Sequence, residues 1–375
     1  MGEGQAQGLP LQGAIMRMII WNKLPMCQQM LNHPRFFHPV RETKEHHDMS
    51  NSNPVVIAVG GNSLISAKEK VTVEDQYEAI RETVRHVADV IEAGRQVCVT
   101  HGNGPQVGFI LRRSEIARKV AGMHPVPLAS CVADTQGAIG WQIQQALSNE
   151  LRRRGLGATH RGMAVSVVTQ VLVDVDDPAF VEPDKFVGEV YQEADLPVLR
   201  EEYPHWVLKP DRGRGWRRVV PSPRPLEIVE LPVIRSLLEQ GFNVVAVGGG
   251  GVPVVRGEDG ELRGVAAVVD KDLATGLLAT ALGADLLVVS TAVPKVSLNY
   301  GTPDQTDLDD VTVEEMRDYL AQGHFPPGSM GPKIKAAIDF LVKGGKEVII
   351  TCPENLRNAM EFGGGTRIAA AWLPA

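Results

Sequence analysis

Three lysines stand beside turn-forming residues rather than on a plain helical face. Lys185 lies in Glu182-Pro183-Asp184-Lys185-Phe186-Val187-Gly188, Lys271 sits between Asp270 and Asp272, and Lys333 follows Gly328-Ser329-Met330-Gly331-Pro332. Taken singly, each reads most simply as a solvated surface cation. Their settings favour a second reading. Acids on both sides of Lys271 can orient its ammonium toward a phosphate, and Lys333 opens a helix whose dipole acts on the same anion. His101, at the end of a strand-like run, reads either as a general base or as a hydrogen-bonded structural residue.

Glycine turns supply the other half of an anion site. Val55-Val56-Ile57-Ala58-Val59 is a β-branched apolar run that opens at once into Gly60-Gly61-Asn62-Ser63. Without a Cβ at the glycines, backbone N–H groups can approach an oxyanion closely, and the following helix adds its positive end. The pattern returns at Val244-Val245-Ala246-Val247-Gly248-Gly249-Gly250-Gly251, and a third strand end carries His101-Gly102-Asn103-Gly104-Pro105-Gln106-Val107-Gly108. Two such glycine turns after two buried strands suggest two phosphate-handling lobes. None of them is GxGxxG or GxxxxGK[ST], so neither a dinucleotide fingerprint nor a P-loop is present.

The elements that must position these residues alternate between strand and helix. Tyr77, Ile80, Val84, Val87 and Ile91 share one helical face that stops at Gly94, and Gln96–Thr100 follows as a strand. Val132, Ile139, Ile143, Ala146 and Leu147 mark a second amphipathic helix, ending near Arg152-Arg153-Arg154, an arginine run read as a solvated, dipole-complementing end. A long β-rich run covers residues 164–173. From 174 to about 225 prolines, acids and aromatics interrupt the alternation, which reads as an inserted subdomain or lid. It resumes with helices around 233–240 and 313–320 and strands at 243–247, 285–290 and 347–351. Such alternation predicts an α/β fold with a mainly parallel sheet covered on both faces and ligands at the strand C-terminal ends.

Bulk properties narrow the partners. With 375 residues the expected organisation is two lobes, 53–230 containing the insertion and 231–375. Residues 1–52 lack a sustained period and read as a dispensable extension, with Met49 as the working start. A net charge of −7 and no basic stripe argue against a nucleic-acid partner. Cys27, Cys98, Cys131 and Cys352 are scattered without metal-ligand spacing, so no protein metal site is expected, and no apolar run has the length of a membrane span. The cytoplasm is the expected compartment.

The combination of Gly60-Gly61-Asn62, His101 through Gly108, Thr169-Gln170-Val171, Gly213 through Pro223, Gly248 through Val255, Val269-Asp270-Lys271-Asp272 and Pro327-Gly328-Ser329-Met330 resembles the carbamate kinases of the amino acid kinase superfamily. The likeness runs in order from about residue 54 to the C-terminus. It implies a three-layer α/β/α sandwich with an open, mainly parallel sheet and a small protruding subdomain. It also implies a homodimer and reversible transfer of a phosphoryl group between MgATP and carbamate, giving carbamoyl phosphate. By the same likeness Gly60, Gly61, Asn62, Gly102, Asn103 and Gly104 hold the carbamoyl phosphate end, and Gly249, Gly250, Asp272, Thr291, Tyr300, Met330 and Gly331 belong to the nucleotide site. Lys271 and Lys333 are assigned to the transferring group, and Lys185 to the acyl phosphate from the insertion.

Carbamate is already an anionic nucleophile, so the absence of a clear His/Asp pair is consistent with this chemistry. The difficulty is to bring two anions together, which is work for lysines, N–H groups and magnesium. Two positions depart from the pattern. Pro294 follows Thr291-Ala292-Val293 where the family shows an acid, and Asp134 stands where a small or apolar residue is expected. The alternatives are a sister kinase with another acceptor, and a catalytically silent paralogue that binds nucleotide as a regulator.

Overall fold

Val55–Val59 (β1) is buried along its whole length, and its alternate side chains enter two different cores. Val56 and Ala58 join one cluster, while Val55, Ile57 and Val59 join the other. That is the period-two geometry of a strand covered on both faces. The computed structural model describes residues 53–60, 72–211, 213–326 and 328–371. The proposed extension over 1–52, together with Gly61 and Asn62 of the first glycine turn, lies outside the described residues.

In chain order, β1 is followed by helix α1 (Val73–Glu92), β2 (Val97–His101), α2 (Gly104–Ala121) and α3 (Leu128–Arg153). Thr72 begins α1 with a reciprocal capping box: the Asp75 amide donates to Thr72 Oγ1 at 3.1 Å and the Thr72 amide to Asp75 Oδ2 at 3.2 Å. Next come β3 (Ala164–Ser166), β4 (Gln170–Val173), β5 (Lys185–Tyr191), α4 (Leu196–Glu202), β6 (Val207–Asp211), β7 (Gly215–Val220) and β8 (Pro225–Ile228). The chain continues through α5 (Leu231–Glu239), β9 (Asn243–Val245), β10 (Val252–Arg256), β11 (Leu262–Gly264) and α6 (Lys271–Leu282). It closes with β12 (Leu286–Ser290), β13 (Ser297–Leu298), β14 (Thr306–Asp307), β15 (Asp310–Thr312), α7 (Val313–Ala321), α8 (Met330–Val342), β16 (Glu347–Thr351), α9 (Leu356–Glu361) and β17 (Thr366–Ala369).

The main sheet has the order β15-β17-β16-β12-β1-β2-β9-β3, and its neighbours pair in parallel except β16 with β17. Residues of α1, α3 and α9 cover one face, and residues of α5, α6, α7 and α8 cover the other. This is the three-layer sandwich with a mainly parallel sheet. The antiparallel return of β17 and the helix before it were not foreseen from the sequence.

The β-rich run at 164–173 divides between two sheets. β3 ends in the main sheet, and β4 joins a smaller one of order β11-β10-β4-β8. The Gln136 side chain makes the break possible: the Thr169 amide donates to Gln136 Oε1 at 2.7 Å, and Gln136 Nε2 donates to the Thr169 carbonyl at 3.0 Å. A side-chain amide thus replaces a missing strand partner for buried backbone.

The segment inserted after β4 forms its own antiparallel sheet, β5-β7-β6. It rests on α2 through Arg112 with Glu189, through Lys119 Nζ at 2.9 Å from Glu202, and through Arg118 5.1 Å from the Tyr203 ring centre. In the arginine run ending α3, Arg152 and Arg153 are exposed in the last turn as expected, and Arg154 differs. Arg154 is largely covered and donates to Glu150 at 2.8 Å, Asp89 at 2.6 Å and Glu92 at 3.0 Å, tying α3 to α1.

Candidate active site

The chain leaves β1 for β2 and β9 on one side and later places β12 on the other. The strand order therefore reverses at β1, and the crevice beyond the carboxyl ends of such strands is where open α/β sheets bind ligands. Val59 is level with His101 on β2 and with Ser290 on β12, so Gly60, Gly102 and Thr291 emerge side by side. They line a cavity of about 450 Å³. The first residues of α2 (Gly104), α6 (Lys271) and α8 (Met330) line it too, so three helix N-termini bring positive dipole ends to it.

The three lysines predicted from turn contexts all reach this cavity. Lys271 Nζ donates to Asp272 Oδ1 at 2.8 Å, and Lys333 Nζ donates to Asp272 Oδ2 at 2.9 Å. Asp272 is buried, with 5% exposure. Burial alone would push its carboxyl up, but the two ammonium groups and their hydrogen bonds outweigh this and bring it down to about 2. Lys333 is held below the usual lysine range, first by burial and then by Lys271, with Asp272 opposing. Asp272 is thus an anion that holds two cations, one on each carboxylate oxygen.

Lys185, the first residue of β5, crosses from the insertion to Asp270, with Nζ 2.7 Å from Oδ2. Asp270 Oδ1 meanwhile caps α6, accepting from the Asp272 amide at 2.9 Å. The two acids beside Lys271 therefore divide their work: Asp272 holds Lys271, and Asp270 holds the lysine from the insertion. Sequence adjacency did not reveal that division.

The glycine turns are packed against each other. Asn103 is buried and donates from Nδ2 to Thr135 Oγ1 at 2.8 Å. Its amide leaves no room for a side chain at Gly249, whose φ is +66°. A Cβ at Gly250, at φ +94°, would run into the Val269 carbonyl, and Val247 just ahead holds a left-handed φ of 53°. A β-branched residue in that conformation is strained, and such strain survives only where its surroundings enforce it. The Val247 amide is fixed by Thr169 Oγ1 at 3.0 Å. His101 lies beneath Gly248. Its imidazole is pushed down to about 4 by burial, with the Gly102 carbonyl opposing and Lys271 adding to the shift. His101 is neutral near pH 7, with Nδ1 3.1 Å from the Gly102 carbonyl oxygen, so the geometry favours the structural reading.

Of the residues expected at the site, Gly60, Gly102, Asn103, Gly104, Gly249, Asp272, Thr291, Tyr300 and Met330 line the cavity with the three lysines. Gly250 and Gly331 are not among the lining residues, and their amides donate to the carbonyls of Val247 at 3.1 Å and Pro326 at 2.9 Å. Asp134 is exposed on α3. Among the described residues no group of three or more His, Cys, Asp or Glu side chains is placed to hold a metal ion. Both oxygens of Asp272 and of Asp270 are engaged by lysines or by backbone amides. No helix among the described residues is long and apolar enough to cross a membrane.

Comparison with known proteins agrees with this geometry. Residues 53–352 match the amino acid kinase family. The chain is 49% identical over 314 residues to the carbamate kinase-like protein YahI of Escherichia coli, covering 84% of this chain and 98% of that one. It is 47% identical to the carbamate kinase of Pyrococcus horikoshii, with the same coverage. Among solved structures, carbamate kinase from Giardia lamblia bound to AMP-PNP aligns with a TM-score of 0.78 at 41% identity, covering 85% of this chain and 99% of that one. The chain belongs to the amino acid kinase family, among its carbamate kinases.

Proposed function

We propose that the protein catalyses reversible phosphoryl transfer, ATP + carbamate = ADP + carbamoyl phosphate. The observation that carries this reading is the Lys271–Asp272–Lys333 bridge facing a cavity ringed by helix N-termini. In the direction of ATP formation, a β-phosphate oxygen of ADP attacks the phosphorus of carbamoyl phosphate, the P–O bond to the carbamoyl group breaks, and carbamate leaves with the electron pair. No proton needs to move, so no general base is required. The protein's task is to hold two anions in line and offset the charge on the equatorial oxygens.

Roles follow from position. Lys271 and Lys333 face the transferring group, and their spacing is set by Asp272 before substrate arrives, so little reorganisation remains for the reaction itself. Lys185 approaches the acyl phosphate from the insertion. Gly60 and Gly102 to Gly104, with Gly61 and Asn62, bind the carbamoyl phosphate end. Gly249, Gly250, Thr291, Tyr300, Met330 and Gly331 form the nucleotide side with Asp272. Magnesium, brought by ATP or ADP, would supply charge neutralisation on the phosphates.

The same reading assigns residues 53–230 and 231–375 to two lobes and makes the protein a cytoplasmic homodimer serving amino-acid or nitrogen catabolism. The relatives' names support the carbamate kinase activity from which these expectations follow. The test is ATP formation from ADP, magnesium and carbamoyl phosphate, with Lys271→Ala as the paired control. Turnover that collapses in the variant supports the assignment, whereas nucleotide binding without turnover in a folded wild type favours a regulator.

A further inference from the structure

A fourth lysine faces the cavity, and its partner lies elsewhere. Val293, Lys295 and Ser297 line the cavity, while Val296 between them is completely buried in the core. The alternation is held by the backbone: the Val296 amide donates to Thr366 Oγ1 at 2.8 Å, and its carbonyl accepts from the Leu308 amide at 2.8 Å. Lys295 therefore ends a bend, residues 292–295, that is clamped at Val296 just ahead of β13. Its ammonium pairs with Asp309, whose side chain is 70% exposed and is not part of the cavity lining.

The other three cations are committed to acids of the cavity itself, Lys185 to Asp270 and Lys271 and Lys333 to Asp272. An ion pair with so exposed a carboxylate contributes little and is readily exchanged for a denser anion. Lys295 comes from the stretch after β12 that also brings Thr291 and Tyr300 to the cavity, the side assigned above to the nucleotide. An ammonium is a compact point charge, suited to phosphate oxygens rather than to a base or a ribose.

We propose that Lys295 is a nucleotide-binding residue whose ammonium moves from Asp309 to a non-transferred phosphate of ADP or ATP. This rests on the kinase reading above. The experiment is calorimetric titration of the full chain with MgADP and, separately, with adenosine, for wild type, Lys295→Met, Lys295→Arg and Asp309→Asn, with circular dichroism as the check on folding. Lys295→Met should weaken MgADP about tenfold or more and leave adenosine unchanged, as expected for a lost charge-assisted hydrogen bond. Lys295→Arg should retain most of the MgADP affinity. Asp309→Asn, which breaks the same ion pair but keeps the cation, should bind MgADP as tightly as wild type or more so. In turnover the KM for ADP should rise in Lys295→Met while the KM for carbamoyl phosphate holds.

Equal weakening in Lys295→Met and Asp309→Asn would overturn the proposal, because the pair would then matter only structurally. Wild-type affinity in Lys295→Met would overturn it as well. A wild type that binds no MgADP would instead remove the kinase reading on which it stands.

Discussion

Lys333 Nζ donates to Asp272 Oδ2 at 2.9 Å although 61 residues separate them, and the bond joins the first turn of α8 to the first turn of α6. The opposite carboxylate oxygen holds Lys271. With Asp272→Asn, two ammonium groups face each other without the anion between them. Lys333, already held down by burial and by Lys271, then falls further because its raising partner is gone. The expected outcome is a loss of about a hundredfold in kcat, on the order of 3 kcal/mol. The alkaline limb of the pH–rate profile should also move toward neutral pH, which steady-state assays across that range would show.

Lys185→Met tests the cation supplied by the insertion. Its ion pair with Asp270 is partly exposed, at 37% for the lysine side chain and 14% for the aspartate, so stability should change by less than about 1 kcal/mol. Catalysis with carbamoyl phosphate should fall about a hundredfold in kcat/KM while MgADP affinity is retained. Thermal melts, titration and initial rates on one preparation check all three.

Gly249→Ala should destabilise the chain by about 1–3 kcal/mol through its left-handed backbone, with a further cost from collision with the Asn103 amide. Adding Asn103→Ala relieves the collision but not the backbone conformation. The double variant should therefore be less destabilised than the sum of the two single changes, as thermal or urea unfolding of the four proteins would report.

His101 gives a pH prediction with a definite sign. Its imidazole is pushed from 6.5 down to about 4 in the folded chain. Between these values the unfolded chain takes up a proton that the folded one refuses, so this contribution to stability is present above pH 6.5 and is lost as pH falls toward 4. The slope attributable to one such group is at most about 1.4 kcal/mol per pH unit. Urea unfolding at several pH values should show a shallower slope for His101→Gln than for wild type.

The sheet was legible where burial left a local mark. Val55–Val59 announces itself because an unbroken β-branched run ending in glycines has few other uses. The three lysines were found by their turn neighbours. Of their partners only Asp272 beside Lys271 was legible, because neighbouring residues at a helix start point in different directions: Asp270 turns to a lysine 85 residues away, while Asp272 keeps Lys271 and gains Lys333. The division of 164–173 depends on Gln136, on a helix 33 residues earlier, and no pattern within the run reports it. Lys295 passed unmarked because its orientation is set by Thr366 and Leu308, residues remote from it in the chain.

Asp270 commits one oxygen to the amides that begin α6 and the other to Lys185. The two attachments are chemically separate. The insertion can release its lysine without unwinding the helix that carries Lys271 and Asp272, and breaking a partly exposed pair costs little. Loss of the Lys185 contact therefore leaves the cap of α6 in place, and with it the bridge from Lys271 through Asp272 to Lys333.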